Sequence, residues 1–178
     1  MKNIIFVRHS EVIKPYQHCY NGHLDIPLSP KGKMDAKNLA QELEQFSFDI
    51  AFCSDLVRAK ETLQAFNIQC STIYTKALRE KSWGENEGLS FQQITKKGIM
   101  YHNFEQWIDA LGGENQHEFS KKLIQYFKKT ILKSQGNTIL IVTHAGVIYT
   151  LLSYINQITL EEAFNIQIPY TGYYQVSL

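Results

Sequence analysis

The chain has 178 residues, 44% of them hydrophobic, and at roughly 150 residues per domain this length predicts one domain with a single compact core. Eighteen Lys and Arg residues balance seventeen Asp and Glu residues, so the net charge of +1 gives no overall field that would draw the chain to nucleic acid or to an anionic membrane. Any site for an anion must therefore be local.

The N-terminal half of the chain predicts two strands and two helices. Residues 4–7 form a continuous apolar run, which is typical of a strand buried on both faces. Ser29, followed by proline, is a helix start signal because serine caps free N–H groups, and the helix is predicted to reach about Glu44. A second apolar run, at 50–53, predicts the next strand, and Asp55 is the expected cap of the helix after it.

The C-terminal half begins with an irregular stretch. Residues 81–113 break into Gly, Trp, Asn and short apolar pieces, which predicts a lid-like insertion with two short helices. Residues 116–132 carry apolar side chains on one side and predict a long helix, whereas 138–143 is the longest apolar strand and is followed by another helix. Alternation over 164–168, and more weakly over 173–178, predicts two closing strands.

The alternation of buried strands and helices predicts the fold class. Such an order is typical of an α/β domain with a mostly parallel central sheet flanked by helices on both faces. We therefore expect residues 1–178 to form a single domain that contains the insertion at 81–113.

The location in the cell is inferred from what the sequence lacks. The three cysteines, Cys19, Cys53 and Cys70, are too scattered for a disulfide framework, and no pair has the spacing of a zinc knuckle. The first apolar run is too short for a signal sequence, and no stretch approaches the ~18 apolar residues of a membrane span. These features predict a cytoplasmic protein that does not bind membranes.

Polar side chains follow each of the three strongest strands. Arg8 and His9 come directly after the first strand, Arg58 shortly after the second, and His144 directly after the third. Because ligands bind outside the carboxyl ends of the strands in an open α/β sheet, we expect these four residues to converge. Two guanidinium groups suit a tetrahedral dianion, and His144, near a helix N-terminus, is expected to add positive potential. The predicted ligand is a phosphate monoester.

Two residues are candidates for the chemistry itself. His9 is the candidate nucleophile, because an imidazole can form a covalent phosphoryl intermediate and backbone groups at the strand end can fix its tautomer. Glu80, in the irregular stretch, is the candidate acid that gives the leaving oxygen its proton.

These residues also have structural interpretations. A histidine after a strand is often a satisfied core residue, Arg58 can face solvent, and Glu80 can pair with a neighbouring cation. His18, Cys19 and His23 can be read as metal ligands, but no fourth ligand lies at a recognisable spacing, so no metal is predicted. The tyrosines lack a basic groove for nucleic acid, and no glycine-rich nucleotide motif is present.

Seven short motifs occur in a recognisable order along nearly the whole chain. They are Val7-Arg8-His9-Ser10-Glu11, Asn21-Gly22, Asp25 to Ser29, Ser54 to Thr62, Glu80 to Gly88, Gly112-Gly113-Glu114, and Val142 to Ile148. Together they resemble the histidine phosphatase (phosphoglycerate mutase-like) superfamily. The resemblance implies a phosphohistidine at His9 and an acid role for Glu80, with no metal or other cofactor. It also implies phosphate contacts from Arg8, Asn21, Gly22, Arg58 and His144.

One stretch resembles a particular group within that superfamily. Residues 18–28 are similar to the Cys-Tyr-Gly and Asp-Val-Pro-Leu stretch of the α-ribazole phosphatases. This implies removal of the 5′-phosphate of α-ribazole phosphate, or of the corresponding cobalamin phosphate, in late cobalamin biosynthesis. The superfamily's mutases are longer, which favours hydrolysis. Ser10, Pro15 and Tyr149 depart from the usual Gly or Thr, Asn and Arg, which affects the choice of substrate.

Two alternatives remain open from the sequence. One is a phosphatase for other small phosphate esters or for a phosphohistidine protein, with the same catalytic residues and a different lid. The other is a module that binds a phospholigand without turnover. In the enzyme interpretations the partner is a small phosphate ester, and the oligomeric state is not predicted.

Overall fold

The computed structural model describes all 178 residues. Five strands form one sheet: β1 (Asn3–Arg8), β2 (Ile50–Ser54), β3 (Ser71–Thr75), β4 (Thr138–Thr143) and β5 (Tyr173–Ser177). Seven α-helices accompany them: α1 (Pro30–Glu42), α2 (Val57–Gln64), α3 (Phe91–Lys96), α4 (Phe104–Ala110), α5 (Gln116–Tyr126), α6 (Ala145–Asn156) and α7 (Leu160–Phe164). Short 3₁₀ turns occupy Lys14–Tyr16, Leu43–Gln45, Lys76–Leu78 and Gly84–Asn86, and a π-helical turn, Phe127–Ile131, extends α5.

The strand order is β3-β2-β4-β1-β5. The first four strands in this order are parallel, and β5 runs antiparallel to β1. Arg8 pairs with Thr143 at the end of the β1–β4 ladder, so His9 and His144 leave neighbouring strands at the same edge of the sheet. The predicted α/β fold with a mostly parallel sheet is confirmed.

The sheet separates two apolar clusters, where the sequence predicted a single core. Ile4 and Phe6 belong to the cluster that packs against α5, α6 and α7, and their neighbours Ile5 and Val7 belong to the cluster that packs against α1 and α2. Because successive strand residues point to opposite faces, an unbroken apolar run serves both clusters. Helices therefore cover both faces of the sheet, as predicted.

The start of α1 is as predicted, whereas the expected cap of α2 is wrong. Ser29 Oγ accepts the Gly32 N–H at 2.9 Å and caps α1, which is followed by the 3₁₀ turn at Leu43–Gln45. The N-cap of α2 is Leu56, and the Val57 N–H donates to Asp25 Oδ1 at 2.6 Å. Asp55 is not the cap: its carboxylate is directed to Arg79, whose Nε and Nη2 donate to its two oxygens, both at 2.6 Å.

One predicted strand is absent, and one observed strand was not predicted. Residues 164–168 do not form a strand: α7, capped by Thr159, ends at Phe164, and the backbone is left-handed at Gln167 (φ 50°). Strand β3 is absent from the sequence-based prediction because it is a polar edge strand whose side chains are mostly exposed, so it lacks the apolar run that marks β1, β2 and β4.

The stretch 81–113 contains a 3₁₀ turn and the two short helices α3 and α4, and the predicted helix over 116–132 is formed by α5 and its π-helical extension. None of the helices has both the length and the apolar character needed to cross a membrane.

Candidate active site

The carboxyl ends of β1, β2 and β4 bring the predicted residues together. The ring centroids of His9 and His144 are 5.1 Å apart, and the rings meet edge to face. Arg58, from the first turn of α2, reaches the same point and donates from Nε to His144 Nδ1 at 3.3 Å. The expected convergence of the three strand ends is confirmed by this geometry.

His9 is buried and held in one tautomer. Its Nδ1 lies 2.8 Å from the carbonyl oxygen of Ser10, which can only accept, so Nδ1 carries the proton. Burial, together with the charges of Arg58 and Arg8, holds the pKa of His9 well below its usual value. The ring is therefore neutral near pH 7, and Nε2 keeps its lone pair. A neutral imidazole with a free nitrogen is the form required of a nucleophile.

His144 is fully buried, and both of its ring nitrogens have protein partners. Nδ1 accepts from Arg58, and Nε2 donates to Ser54 Oγ at 2.8 Å. Burial and the nearby Arg58 guanidinium place the pKa of His144 well below its usual value. A lowered pKa favours the neutral ring, so the positive potential expected at this position is supplied by the N-terminus of α6, which His144 precedes, rather than by a charge on the ring.

Arg58 carries a buried positive charge in the site. Its Nη1 donates to the carbonyl oxygen of Leu24 and its Nη2 to that of Gly22, both at 2.7 Å. Only 1% of the residue is exposed, which excludes the solvent-facing interpretation. Burial lowers the pKa of Arg58 to about 10, so the guanidinium stays charged at neutral pH.

Arg8 supplies the second guanidinium. Its Nη1 donates to the carbonyl oxygen of Ile168 at 2.7 Å, and its guanidinium carbon lies 4.3 Å from the ring centroid of Tyr170. Nε of Arg8 is buried and has no hydrogen-bond partner in the protein. A buried guanidinium N–H without a partner is a donor still available to an anion.

The loop at Asn21 and Gly22 borders the same cleft. Asn21 Nδ2 donates to the carbonyl oxygen of Tyr16 at 2.8 Å, which uses one of its two N–H groups, and Asn21 Oδ1 is buried without a hydrogen-bond partner. Gly22 has a left-handed backbone (φ 46°), and a Cβ there would lie 2.3 Å from Glu87 Oε1. The left-handed backbone, together with this close packing, favours glycine at this position.

Glu80 faces the cleft from the start of the irregular stretch. Its Oε2 accepts the N–H of Gly146 and its Oε1 accepts the N–H of Lys81, both at 3.1 Å. The interpretation as an ordinary surface ion pair fails, because Arg79 pairs with Asp55 and the ammonium of Lys81 donates to the carbonyl oxygen of Gly112 at 2.8 Å. Glu80 is therefore anchored by backbone groups at the first turn of α6.

The cleft has a polar end and an apolar wall, and its volume is about 160 Å³. Arg8, His9, Arg58 and Glu80 line the polar end, and Tyr170 covers Arg8. Aromatic and aliphatic side chains from several elements form the wall: Tyr20, Trp83, Phe91, Trp107, Ile108, Leu111, Phe119 and Phe164. A phosphate group at the polar end would place its organic substituent along the apolar wall.

Three further residues belong to the site without having been given a role from the sequence. Ser54 orients His144, Tyr170 stacks on Arg8, and Lys81 is a buried cation that borders the cleft. Ser54 carries a detectable signal, because it ends a buried strand at the same sheet edge. Tyr170 and Lys81 carry none, because loops bring them to the cleft.

The donor set of this site is imidazole, guanidinium and backbone amide, which is suited to a phosphate group. No group of three or more His, Cys, Asp or Glu side chains is arranged to hold a metal ion.

A mostly parallel α/β sheet with two histidines and two arginines at the carboxyl edge of its central strands defines a class of phosphoryl-transfer enzymes. The chain belongs to the histidine phosphatase superfamily (branch 1), whose family model matches residues 4–178. This confirms the predicted enzyme class, that of the metal-independent histidine phosphatases, and the resemblance on which the prediction was based.

Proteins similar in sequence include both mutases and a putative phosphatase, and solved phosphatase structures share the fold. The 2,3-bisphosphoglycerate-dependent phosphoglycerate mutase 2 of Gloeobacter violaceus is 26% identical over 96% of this chain and 83% of its own length. The α-ribazole phosphatase of Shigella flexneri has a similar structure, with a TM-score of 0.84 and 23% identity over 99% of this chain and 90% of that one. A phosphoserine phosphatase of Entamoeba histolytica, solved with 3-phosphoglyceric acid, gives a TM-score of 0.82 and 24% identity over 98% and 90%.

Proposed function

We propose that this protein is a phosphomonoesterase that works through a phosphohistidine intermediate at His9. The observation that carries the proposal is the free Nε2 of a neutral, buried imidazole beside two guanidinium groups. Phosphoryl transfer depends mainly on in-line positioning and on stabilisation of charge on the non-bridging oxygens. In this proposal Arg8 and Arg58 supply the charge stabilisation.

The reaction has two steps. His9 Nε2 attacks phosphorus, the ester P–O bond breaks, and Glu80 in its acid form gives its proton to the leaving oxygen. Glu80 then accepts a proton from the water that attacks the phosphohistidine, which releases inorganic phosphate and restores both residues. In this proposal His144 has a supporting role: its Nδ1 accepts the hydrogen bond from Arg58 Nε, and its ring packs edge to face with that of His9.

The apolar wall favours a substrate whose leaving group carries a planar, apolar ring. Aromatic side chains pack well against a heterocycle and offer no partner to a carboxylate. We therefore propose the 5′-phosphate of α-ribazole, or the corresponding cobalamin phosphate, as substrate, in agreement with the resemblance of residues 18–28 to the α-ribazole phosphatases. We place this reaction in the cytoplasm, and three free cysteines are in keeping with that.

A second candidate is a small phosphate ester that carries a carboxylate, such as phosphoserine. Lys81 favours it, because a buried ammonium that borders the cleft and lies within 4 Å of no carboxylate can attract one from a substrate. We favour the first candidate, because eight apolar or aromatic residues line the wall, and the Lys81 ammonium already donates to the carbonyl oxygen of Gly112.

The two candidates are separated by comparing kcat/KM for α-ribazole 5′-phosphate, phosphoserine, 3-phosphoglycerate and a phosphohistidine protein. His9→Ala serves as the blank for contaminating phosphatases. Phe91→Ala, which opens the aromatic wall, should lower kcat/KM for α-ribazole phosphate by about three- to tenfold and leave phosphoserine nearly unchanged. Met100→Ala is the matched control, because Met100 is an exposed apolar residue of the same insertion outside the cleft.

A higher kcat/KM for phosphoserine than for α-ribazole phosphate would overturn the substrate assignment and leave the proposed chemistry in place. Tight binding of a phosphate ester with no product would favour the module without turnover.

A further inference from the structure

The segment Ile168–Gly172, here called the C-terminal turn, lies directly over Arg8 and His9. The Arg8 N–H donates to the carbonyl oxygen of Gly172 at 2.9 Å, and Arg8 Nη1 donates to that of Ile168 at 2.7 Å. Thr171 Oγ1 donates to Ser10 Oγ at 3.0 Å. These contacts hold the turn against the residues that bind phosphate in the proposed function.

Tyr170 is the residue of this turn that reaches the site. Its ring centroid lies 4.3 Å from the guanidinium carbon of Arg8 and 5.5 Å from the ring centroid of His9. The next residue, Thr171, has a left-handed backbone (φ 61°), which a threonine adopts only when its surroundings impose it. The backbone conformation of the turn is therefore maintained by the contacts that place Tyr170 over Arg8.

The Arg8 guanidinium group has a single hydrogen bond within the protein, so a second contact is needed to fix its orientation. Nη1 is bound to Ile168, while Nε is buried without a partner in the protein. No carboxylate lies within 4 Å of the guanidinium group. An aromatic ring contacts a guanidinium group through the ring face, which limits the movement of the guanidinium group and leaves its N–H groups free to donate.

We infer that Tyr170 is a positioning residue of the phosphate site: its ring holds the Arg8 guanidinium so that the free Nε–H points to the bound phosphoryl group. The inference rests on the proposed function for the identity of the anion. The stacking acts through the ring, so the phenolic hydroxyl is dispensable. It also acts on binding of the phosphate group, whichever leaving group the substrate carries.

The test is the affinity for inorganic phosphate, measured by isothermal titration without turnover. Tyr170→Leu removes the ring and should raise the dissociation constant by about tenfold, the effect expected for loss of a partly desolvated cation–π contact. Tyr170→Phe keeps the ring and should bind phosphate as the parent does. Tyr74→Leu is the matched control, because Tyr74 also lies over a cation, Lys60, but on the exposed face of β3.

Two further measurements separate positioning from a merely structural role. With p-nitrophenyl phosphate, Tyr170→Leu should raise KM by about the same factor as the phosphate dissociation constant, with a smaller change in kcat. In an Arg8→Lys background, Tyr170→Leu should cause little further loss, because no planar guanidinium remains to be held. Should the leucine variant fail to fold, as judged by circular dichroism, Tyr170→Gln replaces it in every comparison.

Parental phosphate affinity in a folded Tyr170→Leu or Tyr170→Gln protein would overturn the inference. So would an equal loss in Tyr170→Phe, because it would assign the effect to the hydroxyl. If the parent protein binds phosphate but hydrolyses no ester, the proposed function is contradicted, and the comparison of phosphate affinities still tests the role of Tyr170. If the parent protein binds no phosphate, both the proposed function and the inference about Tyr170 are overturned.

Discussion

The backbone N–H of Gly146 donates to Oε2 of Glu80 at 3.1 Å, and a Cβ at position 146 would lie 2.3 Å from the other carboxylate oxygen. The first turn of α6, which follows His144 directly, therefore holds the candidate acid and leaves no room for a side chain beside it. Glycine at this position is a requirement of the acid's placement, and it links β4 and its following helix to the proton-transfer step.

Replacing the acid should slow the reaction in a manner that depends on the leaving group. Glu80→Gln should lower kcat for an alkyl phosphate by about 10²- to 10⁴-fold, the usual contribution of a positioned general acid, and by much less for p-nitrophenyl phosphate, whose leaving group needs no proton. Steady-state kinetics on both substrates measure this, with the exposed Glu85→Gln of the same stretch as control. Equal losses on the two substrates would remove Glu80 from the acid role.

A methyl group at position 146 should also lower kcat, although it leaves the Glu80 carboxyl group chemically unchanged. Gly146→Ala is expected to displace the Glu80 carboxylate and to lower kcat for an alkyl phosphate by on the order of 10- to 100-fold, since small misplacements of catalytic groups have such effects. Thermal unfolding should show a protein that remains folded, because alanine favours a helix over glycine. Full activity in this variant would mean that the carboxylate position is not critical.

The guanidinium of Arg58 should not be replaceable by an ammonium. Arg58→Lys keeps the charge but loses the fork that donates to Gly22, Leu24 and His144, so the phosphate dissociation constant should rise by about 10- to 100-fold. Titration with inorganic phosphate measures the change, and Arg79→Lys, whose guanidinium pairs with Asp55 outside the cleft, is the control. A parental affinity would argue against a direct phosphate contact.

Stability should fall in mild acid because of the two buried histidines. The folded protein holds the pKa values of His9 and His144 well below 6.5, so the unfolded chain binds more protons as the pH falls below this value. The contribution of these two histidines to the free energy of unfolding should therefore be constant above about pH 7.5 and should fall below about pH 6, by up to about 1.4 kcal/mol per pH unit for each histidine.

Urea unfolding between pH 8 and pH 5 measures this slope. His144→Asn should reduce it by the share of one histidine, whereas His117→Gln, at an exposed position on α5, should leave it unchanged. An unfolding free energy that does not change between pH 7 and pH 5 would show that neither histidine is kept neutral by the fold.

The sequence predicts the part of the site that the sheet builds. The apolar runs of β1, β2 and β4 are unambiguous because these strands are buried on both faces, and parallel strands necessarily bring their carboxyl ends to one edge. The positions of Arg8, His9 and His144 follow from this rule, and Arg58 follows because α2 starts shortly after β2.

The parts of the fold and site that loops form were harder to predict from the sequence. The capping of α2 by Asp25 is a contact between residues 32 positions apart, and no local signal distinguishes it from capping by Asp55. Residues 164–168 alternate between partly buried and exposed positions after α7, and this alternation imitates the pattern of a strand. Tyr170 reaches Arg8 through the left-handed backbone of Thr171, and no sequence rule assigns that conformation to threonine.

The most direct test of the account is to trap the phosphoryl group on the enzyme. The protein is mixed with a ³²P-labelled phosphomonoester, quenched in alkali within milliseconds and digested, and the labelled peptide is sequenced. A phosphohistidine at His9 predicts an acid-labile, alkali-stable label on the peptide that contains this residue. The His9→Ala protein should carry no label and should have lost turnover. A label on another residue, or a His9→Ala protein that hydrolyses the ester at the parental rate, would contradict it.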